Sequence, residues 1–149
     1  MKIEDEIKQS KFSSDYIKAI INIVYTSNYL SLQHTKTLKP HGISPEQFNI
    51  LRILRGQYPK PATVKLLIER MLNKSSNASR LVEKLRLKGL VERKEVPNNR
   101  REVDVVITQK GLDLLTTLDK EEQSREKNFK HLNPDELKEL NRLLDAFRG

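Results

Sequence analysis

The run Ser75-Ser76-Asn77-Ala78-Ser79-Arg80 sets hydroxyl, carboxamide and guanidinium groups side by side. Their shared chemistry is hydrogen bonding to flat, edge-on partners. An Asn can bond an adenine edge and an Arg a guanine edge in bidentate fashion. Further on, Pro97-Asn98-Asn99-Arg100-Arg101 places two arginines at a turn. Arginine is drawn to the strong negative potential of a narrow minor groove. Lys65, Lys74 and Lys84 lie in the same stretch and are candidate phosphate contacts, with Lys60 and Lys94 beside them. Such contacts position a protein without specifying sequence.

The charge distribution agrees. Of 28 Lys and Arg against 20 Asp and Glu (net +8), residues 61–102 hold 11 basic and 5 acidic side chains, net +6. Residues 103–149 are net −2. A local basic excess of this kind is the footprint of a polyanion site. Catalytic patterns are missing: there is no Gly-rich phosphate loop and no HExxH. The predicted catalytic set is therefore none. Cysteine is absent, which removes disulfides, zinc-thiolate sites and thiol redox sensing. His34, His41 and His131 are scattered, so no metal site and no cofactor are expected. The N-terminus Met1-Lys2-Ile3-Glu4-Asp5-Glu6 has no apolar run behind it, and no stretch approaches a membrane span of about 18 residues. The expectation is a cytoplasmic protein with no membrane partner.

These residues need elements to hold them. The 149-residue length predicts a single domain. Ile17, Ile20, Ile21 and Val24 recur at helical spacing, which predicts a long first helix over 14–38. Ser44-Pro45-Glu46-Gln47 reads as a capping box with proline at the first helical position. Phe48, Leu51 and Leu54 follow on one face, and Gly56 is the expected stop. Thr63 caps a short third helix. A turn over Asn73-Lys74-Ser75-Ser76 caps a fourth, with Ala78, Leu81, Val82 and Leu85 inward. Leu90 to Val96 and Glu102 to Ile107 read as strands flanking a tip at 97–101. Thr108 caps a fifth helix, and Asn133-Pro134-Asp135-Glu136 opens a sixth with Leu137, Leu140, Leu144 and Phe147 on its apolar face.

A short helix, a tight turn, a second helix and a basic hairpin spell a winged helix-turn-helix. The fold class is mainly α with a small β-hairpin wing. A helix about 10–12 Å wide fits the major groove of B-DNA. The candidate DNA-binding residues are Ser75, Ser76, Asn77, Ser79, Arg80, Asn99, Arg100, Arg101, Lys65, Lys74 and Lys84. Each has a plainer alternative. Ser75 and Ser76 can serve only as caps, Arg80 can pair with Glu83 or Glu69, and Arg100 and Arg101 can sit in a solvated turn.

The chain also resembles the multiple-antibiotic-resistance regulator (MarR) family of transcription factors. The resemblance rests on Ser75 to Leu85, on Lys88-Gly89-Leu90-Val91-Glu92-Arg93, on Asn99-Arg100-Arg101 and on Ile107-Thr108-Gln109-Lys110-Gly111. These match the family's recognition helix, its "GLV-x-R" strand start, its wing "D-x-R" and its "LT-x-x-G" helix start. Asn99 departs from the pattern, standing where the family has the wing acid that orients the arginine matching Arg101. Arg93 matches the strand arginine, with phosphate contact and a structural ion pair both open to it.

The resemblance implies a homodimer. The long apolar stripes at both ends of the chain support one independently, because they have nothing obvious to cover within a single chain. In that division 14–39 and 112–149 are dimerisation helices and 44–111 is the DNA-binding lobe. The implied function is a transcriptional regulator, a repressor, that binds a pseudo-palindromic site on double-stranded DNA. A small aromatic or phenolic effector would release it, with Tyr29, Gln33, Phe48 and Arg52 as pocket candidates. A winged-helix protein-interaction module and a non-specific architectural DNA binder remain as alternatives, since fold alone does not set function.

Overall fold

The computed structural model describes residues 1–127 and 131–149, without the side chains of Arg100 and Arg101. Among the described residues, seven helices and three strands follow in chain order. They are α1 (Ile3–Glu6), α2 (Asp15–Leu38), α3 (Pro45–Gln57), β1 (Ala62–Thr63), α4 (Val64–Arg70), α5 (Ala78–Leu87), β2 (Val91–Val96), β3 (Asn99–Ile107), α6 (Gln109–Glu126) and α7 (Pro134–Arg148). A single 3-10 turn, Lys39–His41, follows α2. The mainly helical class with a small hairpin wing is thus observed.

Most helix starts follow from side-chain caps, which satisfy amides that the first turn leaves without partners. Ser44 and Asn133 form capping boxes with Gln47 and Glu136. Thr63 accepts from the Leu66 amide and Thr108 from the Gly111 amide. Three expectations need correction. The fourth helix starts at Ala78, because Asn77 rather than Ser75 or Ser76 caps it. Gly56 does not end α3, which runs on to Gln57 and stops where Tyr58 turns extended (ψ 137°). The hairpin tip is Pro97-Asn98 alone, with Asn98 left-handed at φ 66°. Asn99, Arg100 and Arg101 therefore begin β3 instead of forming a loop.

The sheet is antiparallel in the order β1-β3-β2. One core joins the elements around the sheet: Phe48, Ile50, Leu51 and Leu54 of α3, Leu67 of α4, Val82 and Leu85 of α5, Val105 and Ile107 of β3, and Leu115 and Leu118 of α6. Leu38 brings in only the end of α2. The rest of α2 and all of α7 keep large apolar side chains in solvent, among them Val24, Leu30, Leu32, Leu140, Leu143 and Phe147. No residue of α7 is buried.

The joint between wing and α6 is tight. Gly89, left-handed at φ 73°, ends α5 so that the chain can turn into β2. Thr108 donates to the Gly89 carbonyl at 2.7 Å, and its amide reaches Leu90 O at 3.0 Å. A Cβ on Gly111 would lie 2.5 Å from that same Leu90 oxygen and 2.6 Å from Ile107 Cγ1. A side chain there must push apart backbone, which is costlier than moving a flexible tip. Gly111→Ala is expected to destabilise the fold by about 1–3 kcal/mol. A urea-denaturation midpoint equal to wild type would contradict this packing.

Candidate nucleic-acid interface

The helix expected to read DNA is α5. Ala78, Val82 and Leu85 are buried against the core, so the opposite side of the helix must face out. Ser79, Arg80 and Lys84 are exposed there. Arg80 is not neutralised by Glu83, whose carboxylate is held by Arg86 at 2.7 Å and by Arg93 at 3.4 Å. The Arg86 guanidinium, with Arg93 behind it, holds the Glu83 carboxyl below the usual carboxylate range. Arg93 is thereby the ion pair between α5 and β2, beneath the wing.

The preceding turn is arranged differently from the expectation. Asn73 Oδ1 accepts from both the Ser75 amide (3.1 Å) and the Ser75 hydroxyl (2.7 Å). Ser75 is exposed but already engaged. Ser76 turns inward, its Oγ buried with no hydrogen-bond partner among the described residues. Asn77 Oδ1 accepts from the Arg80 amide at 3.1 Å, so its carbonyl end is committed to the cap. The structure thus exposes Arg80 and Lys84, one turn apart, on the outer side of α5, with Ser79 exposed on its flank, and gives Ser75, Ser76 and Asn77 turn and cap positions. Lys74 donates to the Glu69 carbonyl. Lys65 stands exposed at the start of α4.

Between α4, α5 and the wing root runs a groove of about 620 Å³, lined by Lys65, Ile68, Ser79, Arg93, Glu102 and Val103 among others. Asn99 opens β3 opposite Val96. The side chains of Arg100 and Arg101 lie outside the described residues.

A second region lies where α2, α3 and α6 meet. Two adjoining hollows share Ser31, His34 and Pro45. One, about 540 Å³, is lined by Phe48, Arg52, Leu72 and Lys74 as well. The other, about 270 Å³, adds Gln33, Glu122 and Arg125. His34 meets the Phe48 ring edge-on at 5.0 Å, and Arg52 lies 5.8 Å over that ring. Burial pushes the His34 pKa down, with the Arg125 and Arg52 cations adding to the effect. Arg125 Nε is buried without a partner among the described residues. Of the four pocket candidates, Gln33, Phe48 and Arg52 line this region. Tyr29 instead lines a separate hollow of about 120 Å³ beside Ile3 and Tyr25. Sequence reasoning missed His34 and Arg125 here, because nothing local signals that α2 and α6 converge.

No group of His, Asp and Glu among the described residues is placed to hold a metal ion. No helix among them is long and apolar enough to cross a membrane.

The cap and the outer face can be separated by experiment. Asn77→Ala is expected to cost about 1 kcal/mol of folding stability, as loss of an N-cap does, while Asn77→Ser retains most of it. Equal thermal melts for both variants would show that Asn77 does not cap α5.

Residues 41–102 match the model of the MarR family. The chain is 31% identical over 98 residues to the HTH-type transcriptional regulator MhqR of Bacillus subtilis, a match spanning 64% of this chain and 66% of that one, just under two thirds of the relative's length. It is 31% identical to a solved MarR transcription factor from Planctomyces limnophilus, covering 91% of this chain and 99% of that one at a TM-score of 0.69. A mutant MarR from E. coli, solved in complex with operator DNA, shares the fold at 24% identity and a TM-score of 0.76, over 92% and 98% of the two chains. These relatives are named as transcription regulators. With its winged helix, its outward basic recognition helix and this likeness along nearly its whole length, the chain belongs to the MarR family of DNA-binding transcriptional regulators.

Proposed function

We propose that this chain acts as a homodimeric repressor that reads a pseudo-palindromic operator and leaves it when a small aromatic anion binds. The observation that carries the reading is the division of exposed surface. The exposed surface of α5 presents Ser79, Arg80 and Lys84, and the exposed surfaces of α2 and α7 present apolar rows.

The apolar rows support the dimer. Tyr16 and Phe147 stack at 5.8 Å, yet Leu140 and Leu143 remain 43% and 50% exposed. A second copy, related by a two-fold axis, supplies the missing partner for both helices at once. Residues 14–39 and 112–149 then form the dimer frame, and residues 44–111 form two reading lobes. Their recognition helices would sit about 34 Å apart, one turn of DNA.

On the DNA, Arg80 and Ser79 read base edges. Lys84, Lys65 and Lys74 meet phosphates, as the wing does through Asn99, Arg100 and Arg101. Asn77 holds α5 in shape and keeps only its amide nitrogen for a base, while Ser75 and Ser76 shape the turn. DNA as ligand places the protein in the compartment that holds the chromosome.

The effector reading rests on the hollows between α2, α3 and α6. They combine an aromatic wall (Phe48, His34) with cations (Arg52, Lys74, Arg125), a lining suited to a phenolic or carboxylate-bearing ring. Occupancy acts on DNA binding only through different affinity for different lobe spacings.

Arg80→Ala is expected to lose about 1–3 kcal/mol on the operator and to relax base preference, whereas Lys84→Ala weakens all duplexes alike and lowers the salt slope by about one unit. Identical behaviour of the two variants would favour a non-specific architectural binder. Leu143→Glu is expected to yield a monomer by analytical ultracentrifugation. A variant that stays dimeric would remove α7 from the proposed interface.

A further inference from the structure

The apolar packing of α6 on the core ends at Leu118. Beyond it, polar clamps take over. Arg55 of α3 makes a two-pronged contact with Asp119 at 2.6 and 3.3 Å. His41, in the turn after α2, places Nε2 3.0 and 3.3 Å from the two carboxylate oxygens of Glu121. Arg125 donates to the Thr37 hydroxyl at 3.0 Å. These contacts hold the distal part of α6 to the corner between α2 and α3.

The clamps differ in how they answer to protons. Arginine stays charged throughout the physiological range, so the first and third clamps keep their cation. Imidazole is the side chain whose charge ordinarily changes between about pH 5 and 8. His41 and Glu121 are also partly screened from solvent, their side chains 21% and 41% exposed. Protonation turns their contact from a neutral hydrogen bond into a charge-assisted one, which is roughly twice as strong.

We propose that His41 and Glu121 form a proton-dependent latch that fixes the angle of distal α6 against the reading lobe, so that DNA affinity rises as pH falls. The consequence for DNA rests on the dimer reading above. A lobe held in one orientation loses less freedom when both recognition helices must engage together. His41 is a positioning residue and touches no DNA.

The charged groups around His41 allow this. From α6 come Glu121 itself, Asp119 committed to Arg55, and Arg125 committed to Thr37. From the end of α5, Lys88 reaches the carbonyl of Gly42, the next residue. On its own turn stands Lys39. Glu121 is the anion in direct contact.

The absence of native cysteine allows a clean test. Glu95→Cys on β2 and Gln123→Cys on α6 carry a spin-label pair, diluted with excess unlabelled chain so that only distances within one protomer register. The distance distribution is expected to be narrow at about pH 5.5 and broader at about pH 8. His41→Gln and Glu121→Gln should be broad at both. Arg55→Ala should broaden the distribution yet keep its response to pH. In parallel, binding to a duplex from just upstream of the chain's own gene should weaken about threefold to fivefold between those pH values, and clearly less in His41→Gln. Distances that ignore pH in the wild type, or a His41→Gln protein that keeps the wild-type response, would overturn the latch. Failure to bind that duplex at either pH would count against the operator reading, while the distance measurement still decides the latch.

Discussion

Everything in this structure depends on anchoring a ten-residue helix by one side only. Ala78, Val82 and Leu85 bury one stripe of α5 against α3, α4 and the sheet. Their burial at about 25 cal/mol per Å² of apolar surface gives α5 a fixed place that so short a helix would not have alone. The remaining stripe is then free to carry Ser79, Arg80 and Lys84 at no cost to the core. The Glu83 pairs to Arg86 and Arg93 add orientation more than stability, since exposed ion pairs contribute little.

Much of this was legible in residue order. The caps at Ser44, Thr63, Thr108 and Asn133 could be read because each sits immediately before an apolar periodic run and its chemistry is local. The strand alternation of Val103, Val105 and Ile107 was legible for the same reason. What failed was also local, but competitive. Asn73, Ser75, Ser76 and Asn77 are all good caps and turn formers, and sequence alone does not say which oxygen takes which amide. The answer came from Asn73 engaging Ser75, which left Asn77 to cap α5. At the wing, pairing of Val96 with Asn99 drew Asn99 to Arg101 into β3. The strand β1 is two residues long, too short for any periodic signal, and exists only because β3 pairs with it.

The non-local features were the least legible. The two adjoining hollows, one lined by Phe48 and Arg52, the other by Arg125, and both by His34, draw on α2, α3, α6 and the turn after α4, which are far apart in sequence. The polar clamps along distal α6 have the same character, joining residues 64 to 88 positions apart. The family motif "LT-x-x-G", by contrast, acquires a local physical reason. Its threonine ties the end of α5 to the start of α6, and its glycine admits the Leu90 carbonyl where no side chain fits. The joint between wing and α6 is thus fixed by close backbone packing, whereas the exposed side of α5 carries no comparable packing constraint.

The most direct test of the account is a binding titration at about 150 mM salt with two duplexes of equal length, one from immediately upstream of the chain's own gene and one scrambled. Non-specific binding there is typically only about 10⁻⁴–10⁻⁶ M, whereas specific recognition reaches about 10⁻⁸ M or tighter. The account predicts a tight complex of two protomers on the native duplex alone. Equal affinity for both duplexes would contradict it, showing that the outer face of α5 supplies charge without reading sequence.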